Sequence, residues 1–95
     1  VSHSYINGTN IYFVYQLKMN APETSEQEQM ALIRAICDEV IKYPTGGVVH
    51  HHGMGKQRVC YARQEHGSSY CLMEELKRTF DPNQILNRGV LLSKE

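Results

Sequence analysis

The chain has no excess of either charge, since its 95 residues include ten basic and ten acidic side chains. Affinity for nucleic acids and for anionic membranes depends on neutralising phosphates, so this balance argues against both kinds of partner. No apolar run approaches the roughly 20 residues that a membrane-spanning helix needs. No signal-peptide pattern opens the chain. We therefore expect neither a nucleic-acid partner nor a membrane span.

Cysteines are also few, and Cys37, Cys60 and Cys71 form an odd set without CxxC spacing. This predicts no disulfide framework and favours a reducing compartment, so we expect a cytoplasmic location. A chain of this length buries only about 60–65% of the surface that it exposes when unfolded, which predicts a small core. Because the first residue is Val1 and not methionine, we expect the chain to be part of a longer polypeptide.

The hydrophobic pattern predicts an α+β fold. Residues 9–19 alternate with a period of two and are apolar on both faces, which is typical of a central strand. Apolar side chains then recur every three to four residues over about 25–43, which predicts an amphipathic helix that Pro44 ends. Residues 48–52 predict a second, short strand. Strand, helix and strand together predict a unit of split-βαβ type.

The C-terminal third predicts a second helix and an apolar tail. The helix runs from Tyr70 to Phe80 and ends at Asp81, because the residue before a proline avoids the helical conformation. The tail over residues 85–92 is apolar and has few candidate partners within the chain. We expect its surface to be exposed and to promote self-association of the isolated chain.

Residues 50–58, HHHGMGKQR, are the strongest candidate for a functional site. On a strand, His50 and His52 would face one side and His51 the other. The two glycines of the segment allow a flat ligand to approach the backbone closely. Arg58 is suited to binding an anionic group through two parallel hydrogen bonds.

Zinc binding is a competing interpretation of the histidines, because His is the commonest metal ligand and Cys60, Cys71 or His66 would offer further donors. Adjacent residues on a strand diverge, however, and no Cys or His pair has zinc spacing. We therefore predict no metal site. A free-standing α+β module that binds a metal or a partner through the histidines stays open as an alternative, as do histidines with only structural roles.

Three segments resemble FAD-linked oxidases of the vanillyl-alcohol-oxidase type, most closely the alkyl-dihydroxyacetonephosphate synthases and their bacterial relatives. HHHGMGKQR resembles the HHHGxGKxR segment of that family, and TFDPNQILNRGVLL resembles its FDPNxxLNPGxLL ending. SHSYINGTNIYF resembles the strand that precedes the histidines. The segments stand in the same order, so the resemblance covers essentially the whole chain. One departure is Arg88, where many members have a proline.

The resemblance implies a partial antiparallel-sheet cap domain over residues 1–66. A helix and an extended tail over 67–95 would then return to an FAD-binding domain that these residues do not include. That domain is the expected partner and would bind most of the FAD, so the isolated chain is expected to be inactive. Two kinds of reaction are compatible with the resemblance. An oxidase or dehydrogenase transfers a hydride from a small-molecule substrate, whereas a synthase exchanges an acyl chain for a fatty alcohol without net redox change.

The resemblance also implies catalytic roles for three residues. Tyr12 matches a tyrosine that acts near the flavin and is expected to donate or accept a proton. His51 is expected to act as a base toward the substrate carbon, and His52 to orient the substrate or the flavin. A His with a near-neutral pKa can exchange protons at pH 7. A core aromatic remains the alternative role for Tyr12.

Further residues are expected to bind cofactor or substrate by the same resemblance. The cofactor-binding candidates are His50, Gly53 and Asn87. Lys56 and Arg58 are expected to bind a phosphate or carboxylate of the substrate, although pairing with acids of the FAD-binding domain explains them equally well. The amide of Asn87 is equally suited to closing a turn.

Overall fold

The computed structural model describes residues 3–18 and 21–92, and the α+β class predicted from the sequence is confirmed. Its regular elements are β1 (Ser4–Tyr5), β2 (Gly8–Thr9), α1 (Ser25–Ile41), α2 (Gly55–Arg58), α3 (Ala62–His66) and α4 (Ser69–Phe80). A 3₁₀ turn over Val59–Tyr61 joins α2 to α3. Within the described ranges, the helices are too short or too polar to cross a bilayer.

β1 and β2 form a small antiparallel hairpin in which Ser4 lies opposite Thr9 and Tyr5 opposite Gly8. The backbone N–H of Asn10 donates to the carbonyl of His3 at 3.0 Å, and the Thr9 hydroxyl donates to the same oxygen at 2.9 Å. Ile6 and Asn7 form the two-residue turn between the strands, and the sequence analysis did not predict this hairpin. The hairpin fixes the position of His3.

The long strand predicted over residues 9–19 is wrong for residues 10–18, which form no regular element. Several of their apolar side chains are exposed, among them Val14 at 93% and Phe13 at 62%. Strand propensity mainly reflects packing against neighbouring strands, and no neighbour pairs with this segment in the described part of the chain. Residue 19 lies outside the described residues.

The second predicted strand, over residues 48–52, is also wrong, because the chain turns at the histidines. The N–H of Gly53 donates to the carbonyl of His50 at 3.4 Å, and Gly53 has a φ of +78°. Glycine adopts this left-handed conformation without the steric cost that a side chain adds. Gly53 therefore turns the chain where the pattern predicted an extended strand.

The two longer helices were predicted correctly. α1 follows Thr24 and has Glu26 and Glu28 in its first turn, where the helix dipole favours acids. α4 ends at Phe80, and Asp81 follows it as the capping residue before Pro82. The short helices α2 and α3 were missed, since four or five residues are too few to show a helical period.

Two small buried clusters form the core, and Val48 packs against both. The first contains Ile33, Cys37 and Tyr61. The second contains Met54, Ala62 and Tyr70, with Val49 and Leu92 packed against it. The two valines therefore anchor the chain immediately before the histidines.

Asp81 organises the beginning of the C-terminal tail. Its buried carboxylate pairs with Lys77 and accepts hydrogen bonds from the N–H groups of Ile85 and Leu86 at 2.9 and 3.0 Å. Leu86 and Leu91 are exposed, as expected for an apolar tail, whereas Leu92 packs against the core.

Candidate functional site

A cavity of about 460 Å³ lies between residues 9–15, helix α1 and the loop over residues 45–53. Helix α1 contributes apolar side chains to its lining, including Ile33, Ile36 and Val40. The loop and α2 contribute polar ones. An apolar wall facing a few polar groups is the usual composition of a small-molecule site.

Several residues that the sequence singled out line this one cavity. They are Tyr12, His50, His52, Gly53 and Arg58. These residues come from three separate segments of the chain. The structure therefore brings together most of the predicted site.

The three consecutive histidines converge instead of alternating. The ring centroids of His50, His51 and His52 lie 4.3 Å from one another in each pair. His50 and His51 stack, with 15° between their planes, and His52 meets both rings edge-on. His50 is partly buried, whereas His51 and His52 are exposed. The turn that replaces the predicted strand produces this convergence.

Two aromatic residues from the N-terminal part of the chain contact the cluster. The ring of Tyr12 lies 5.2 Å from that of His50, and the ring of His3 lies 4.6 Å from that of His51. The sequence singled out Tyr12 as a site residue but missed His3.

The environment of the cluster lowers the pKa of His50 and of His51. Partial desolvation is the main cause for each ring, and positive charge on neighbouring histidines adds to it. For His50 the guanidinium of Arg58 contributes as well. Since an unperturbed imidazole titrates at about 6.5, both rings are mainly neutral at pH 7. A neutral imidazole has a free lone pair that accepts a proton.

Cys37 lies in the cavity wall and is only 4% exposed. Burial raises the pKa of its thiol, and the nearby positive charge of Arg58 opposes that rise only in part. Since the thiolate is the reactive form, Cys37 is a poor nucleophile and serves as a packing residue. Arg58 takes part in none of the salt bridges among residues 3–18 and 21–92, so its charge is available to the cavity.

The loop before the histidines is held by contacts that the sequence did not reveal. The N–H of Val48 donates to the carboxylate of Glu65 at 3.2 Å. A Cβ on Gly46 would lie 2.3 Å from the carbonyl oxygen of Val40, so only glycine fits against the end of α1. Glu65 is 17 residues away from Val48 and belongs to no motif, so no sequence signal indicated it.

Two predicted binding residues lie outside the cavity lining. Lys56 is exposed on α2. Asn87 is exposed in the tail and has a φ of +42°, which fits the alternative role of closing a turn. Gly53 lines the cavity, and no atom lies within 4 Å of the position where a Cβ would stand. The backbone is therefore open to close approach at Gly53.

Comparison with curated proteins identifies relatives over nearly the full chain. It is 46% identical over 93 residues to the uncharacterized FAD-linked oxidoreductase YgcU of Escherichia coli strain K12, and equally so to that of strain O157:H7. It is 30% identical over 93 residues to the alkyldihydroxyacetonephosphate synthase of Dictyostelium discoideum. These alignments cover 95% and 97% of this chain but only 19% and 15% of the respective relatives.

The chain thus spans about a fifth of the E. coli relatives that it matches. No solved structure matches it. The family model for the C-terminal domain of FAD linked oxidases matches residues 1–91, which include the hairpin, the cavity and the histidine cluster. The chain therefore belongs to the family of FAD linked oxidase C-terminal domains.

Proposed function

We propose that this chain supplies active-site histidine and tyrosine residues to an FAD-dependent oxidoreductase, and that polypeptide outside the chain binds most of the FAD. The observation that carries the proposal is the convergence of Tyr12, His50 and His52 on one cavity. Membership of an FAD-linked family supports the cofactor. The convergence supports a catalytic role for these side chains, because a purely structural histidine needs no open cavity beside it.

The residues around the cavity fit a flat ring system. Gly53 presents backbone with open space where a side chain would stand. The neighbouring imidazoles of His50 and His52 offer hydrogen-bonding groups at the same opening. Together these features suit the edge of a flavin ring that approaches from polypeptide outside the chain.

When bound, the flavin supplies the capacity to accept a hydride from a substrate carbon. His51, neutral at pH 7, accepts a proton at an imidazole nitrogen. His52 lines the cavity and contacts both other imidazoles, so it orients the base and the substrate. The hydroxyl of Tyr12 donates or accepts a second proton, and Arg58 holds an anionic group of the substrate.

Two reactions remain within this proposal. The greater identity to the oxidoreductases of E. coli, 46% against 30%, favours net oxidation of the substrate. The synthase reaction, in which an acyl chain is exchanged for a fatty alcohol without net redox change, is the alternative. Bleaching of the flavin absorbance when substrate is added without oxygen, and its recovery when an electron acceptor is added, would support the oxidoreductase.

The proposal is tested in the full-length natural protein that contains these residues. His51→Ala is expected to retain bound flavin and to lose turnover by a factor of about 10²–10⁴, the usual contribution of a general base. His66→Gln is the matched control, because His66 lies on α3 and is not part of the histidine cluster, and it should retain activity. Unchanged turnover in His51→Ala would remove this residue from the mechanism.

We propose further that the isolated chain neither binds FAD nor turns over substrate. Its cavity opens to solvent at Gly53, and its exposed apolar side chains include Ile11, Phe13 and Val14. These are the groups that an FAD-binding domain would cover. Stoichiometric FAD binding by the isolated chain in equilibrium dialysis would contradict this expectation.

A further inference from the structure

Asn10 lines the cavity at the point where the N-terminal hairpin ends. Its side-chain nitrogen is buried and has no hydrogen-bond partner among residues 3–18 and 21–92. Buried polar groups in folded proteins are nearly always paired, so a buried donor that faces a cavity indicates a missing acceptor. We propose that the side-chain N–H₂ of Asn10 donates a hydrogen bond to the anionic group of the substrate that Arg58 holds.

The hairpin fixes the position of Asn10. Its backbone N–H donates to the carbonyl of His3 at 3.0 Å, and the hydroxyl of Thr9 donates to the same oxygen at 2.9 Å. Two residues further along, Tyr12 lines the same cavity, and its ring lies 5.2 Å from that of His50. The carboxamide of Asn10 therefore stands on the segment that also carries the proposed proton-transferring tyrosine.

The charge of the cavity selects an anion as the acceptor. Among the described residues, its lining contains no Asp or Glu, and Arg58 is its only permanently charged side chain. The guanidinium lowers the pKa of the neighbouring His50, so its positive field extends into the cavity. A cavity with positive charge and no compensating carboxylate attracts anions. A guanidinium and an amide N–H₂ together offer separate donors to separate oxygens of one oxyanion.

The opposite wall suits an aliphatic group next to that oxyanion. Ile33, Ile36 and Val40 of α1 form this wall, and the cavity volume of about 460 Å³ leaves room for a short chain. Carboxylates and phosphates share the acceptor chemistry that Asn10 and Arg58 require. Since the role of Arg58 belongs to the proposed function, the role of Asn10 rests on it and adds a residue that determines specificity.

The experiment measures anion binding to the full-length natural protein at pH 7 by isothermal titration calorimetry. The probes are acetate, butyrate and inorganic phosphate. Asn10→Leu removes the donor at similar size, Asn10→Asp replaces it by a charged acceptor, and Asn10→Ser keeps a smaller donor. Asn7→Asp is the matched control, because Asn7 is exposed in the hairpin turn and outside the cavity lining.

We expect Asn10→Leu to raise the dissociation constant of the bound anion by about tenfold or more, the usual effect of losing a hydrogen bond to a charged group. Asn10→Asp should weaken binding further by repulsion, Asn10→Ser should recover part of the affinity, and Asn7→Asp should bind as the wild type does. Butyrate should bind about tenfold more tightly than acetate, because its two additional methylenes contact the apolar wall. Tighter binding of butyrate than of phosphate would identify the anionic group as a carboxylate, and the reverse would identify a phosphate.

The role of Asn10 would be overturned if the wild type bound none of the three anions, or if Asn10→Leu and Asn10→Asp bound them as tightly as the wild type does. A lower melting temperature in Asn10→Leu with an unchanged dissociation constant would show a purely structural residue. Flavin content is read from the absorption spectrum of each sample. A wild type that binds anions through Asn10 but lacks flavin would refute the proposed function alone, whereas a flavin-containing wild type with Asn10-independent binding would refute only the role of Asn10.

Discussion

At the scale of single residues, Tyr61 shows how a buried polar group stabilises this small core. Its side chain is 7% exposed, and its hydroxyl donates to Asp38 at 2.7 Å and to the carbonyl of Arg34 at 3.2 Å. These bonds tie the 3₁₀ turn to α1. Burial and the neighbouring carboxylate of Asp38 raise the pKa of the Tyr61 phenol.

Tyr61→Phe should lower the free energy of unfolding by about 1 kcal/mol at pH 7, because Asp38 and the Arg34 carbonyl lose a hydrogen-bond donor. The folded state favours the neutral phenol, so its contribution is full below pH about 10 and is lost as the pH rises further. Urea unfolding of the variant and the wild type at pH 7 and pH 11 measures this loss of free energy. If the difference in unfolding free energy between them stays constant with pH, the neutral phenol of Tyr61 does not stabilise the folded state as described.

The contribution of Asp81 to folding stability has the opposite pH dependence. The Lys77 ammonium beside it and two backbone N–H groups lower the pKa of the Asp81 carboxyl. Its stabilising contribution is therefore present above pH about 4 and is lost as the pH falls through the lowered folded value. Asp81→Asn should reduce the melting temperature at pH 7, and the difference from wild type should shrink toward pH 2.

The matched control for Asp81→Asn is Glu75→Gln. Glu75 pairs with Arg78 on the exposed face of α4, and such surface pairs contribute little to stability. Thermal unfolding followed by circular dichroism compares the two variants. An equal melting temperature for both at pH 7 would show that the buried ion pair does not stabilise the tail.

At the scale of elements, the helices and strands differed in how well the sequence predicted them. α1 and α4 carry their own signal, because the apolar stripe of each helix, the proline that follows it and the first-turn acids of α1 are local features. A strand is defined by its neighbour, and residues 10–18 have the composition of a strand but no neighbour among the described residues. At the histidines, the left-handed conformation of Gly53 turns the chain, so the strand predicted over residues 48–52 does not form.

The same distinction applies to the candidate site. The motif indicated the histidines, Tyr12 and Arg58, and the structure brings all of them but His51 into the cavity lining. It did not indicate the convergence of the three imidazoles, which depends on the turn. Nor did it indicate His3 or Glu65, because their contacts join distant segments that no local pattern relates.

The turn between α1 and the histidine loop depends on Gly46. Gly46→Ala places a Cβ 2.3 Å from the carbonyl oxygen of Val40, so the loop must move. We expect a loss of about 1–3 kcal/mol in unfolding free energy, as for other overpacked sites. Gly8→Ala is the control, because nothing lies within 4 Å of its added Cβ. Urea unfolding of both variants should show the loss only for Gly46→Ala, and equal losses would refute the close packing.

At the scale of the whole molecule, the chain is less compact than a self-contained domain. Its radius of gyration is 15.6 Å, against about 12.4 Å expected for a compact domain of 95 residues. Leu72, Leu76 and Phe80 form an exposed apolar stripe on one face of α4, and Phe80 is 79% exposed. Both features fit a chain that packs against further polypeptide.

The α4 stripe is expected to drive self-association of the isolated chain. Replacing Leu76 and Phe80 by Gln should shift the chain toward monomer in sedimentation velocity while changing stability by no more than about 0.5 kcal/mol per site, because both side chains are exposed. Glu75→Gln on the same helix is the control and should not change the association. A wild-type chain that is monomeric at high concentration would contradict this prediction.

The central claim is that the histidine cluster lies against a flavin. It is tested most directly by titrating the flavin absorption spectrum of the full-length protein with pH. Since the pKa values of His50 and His51 are lowered, we expect a spectral step below pH about 6.5 as the rings become charged. That step should disappear in the double variant His50→Ala, His51→Ala and persist in His66→Gln. A purified wild-type protein without flavin, or a step that survives in the double variant, would contradict the claim.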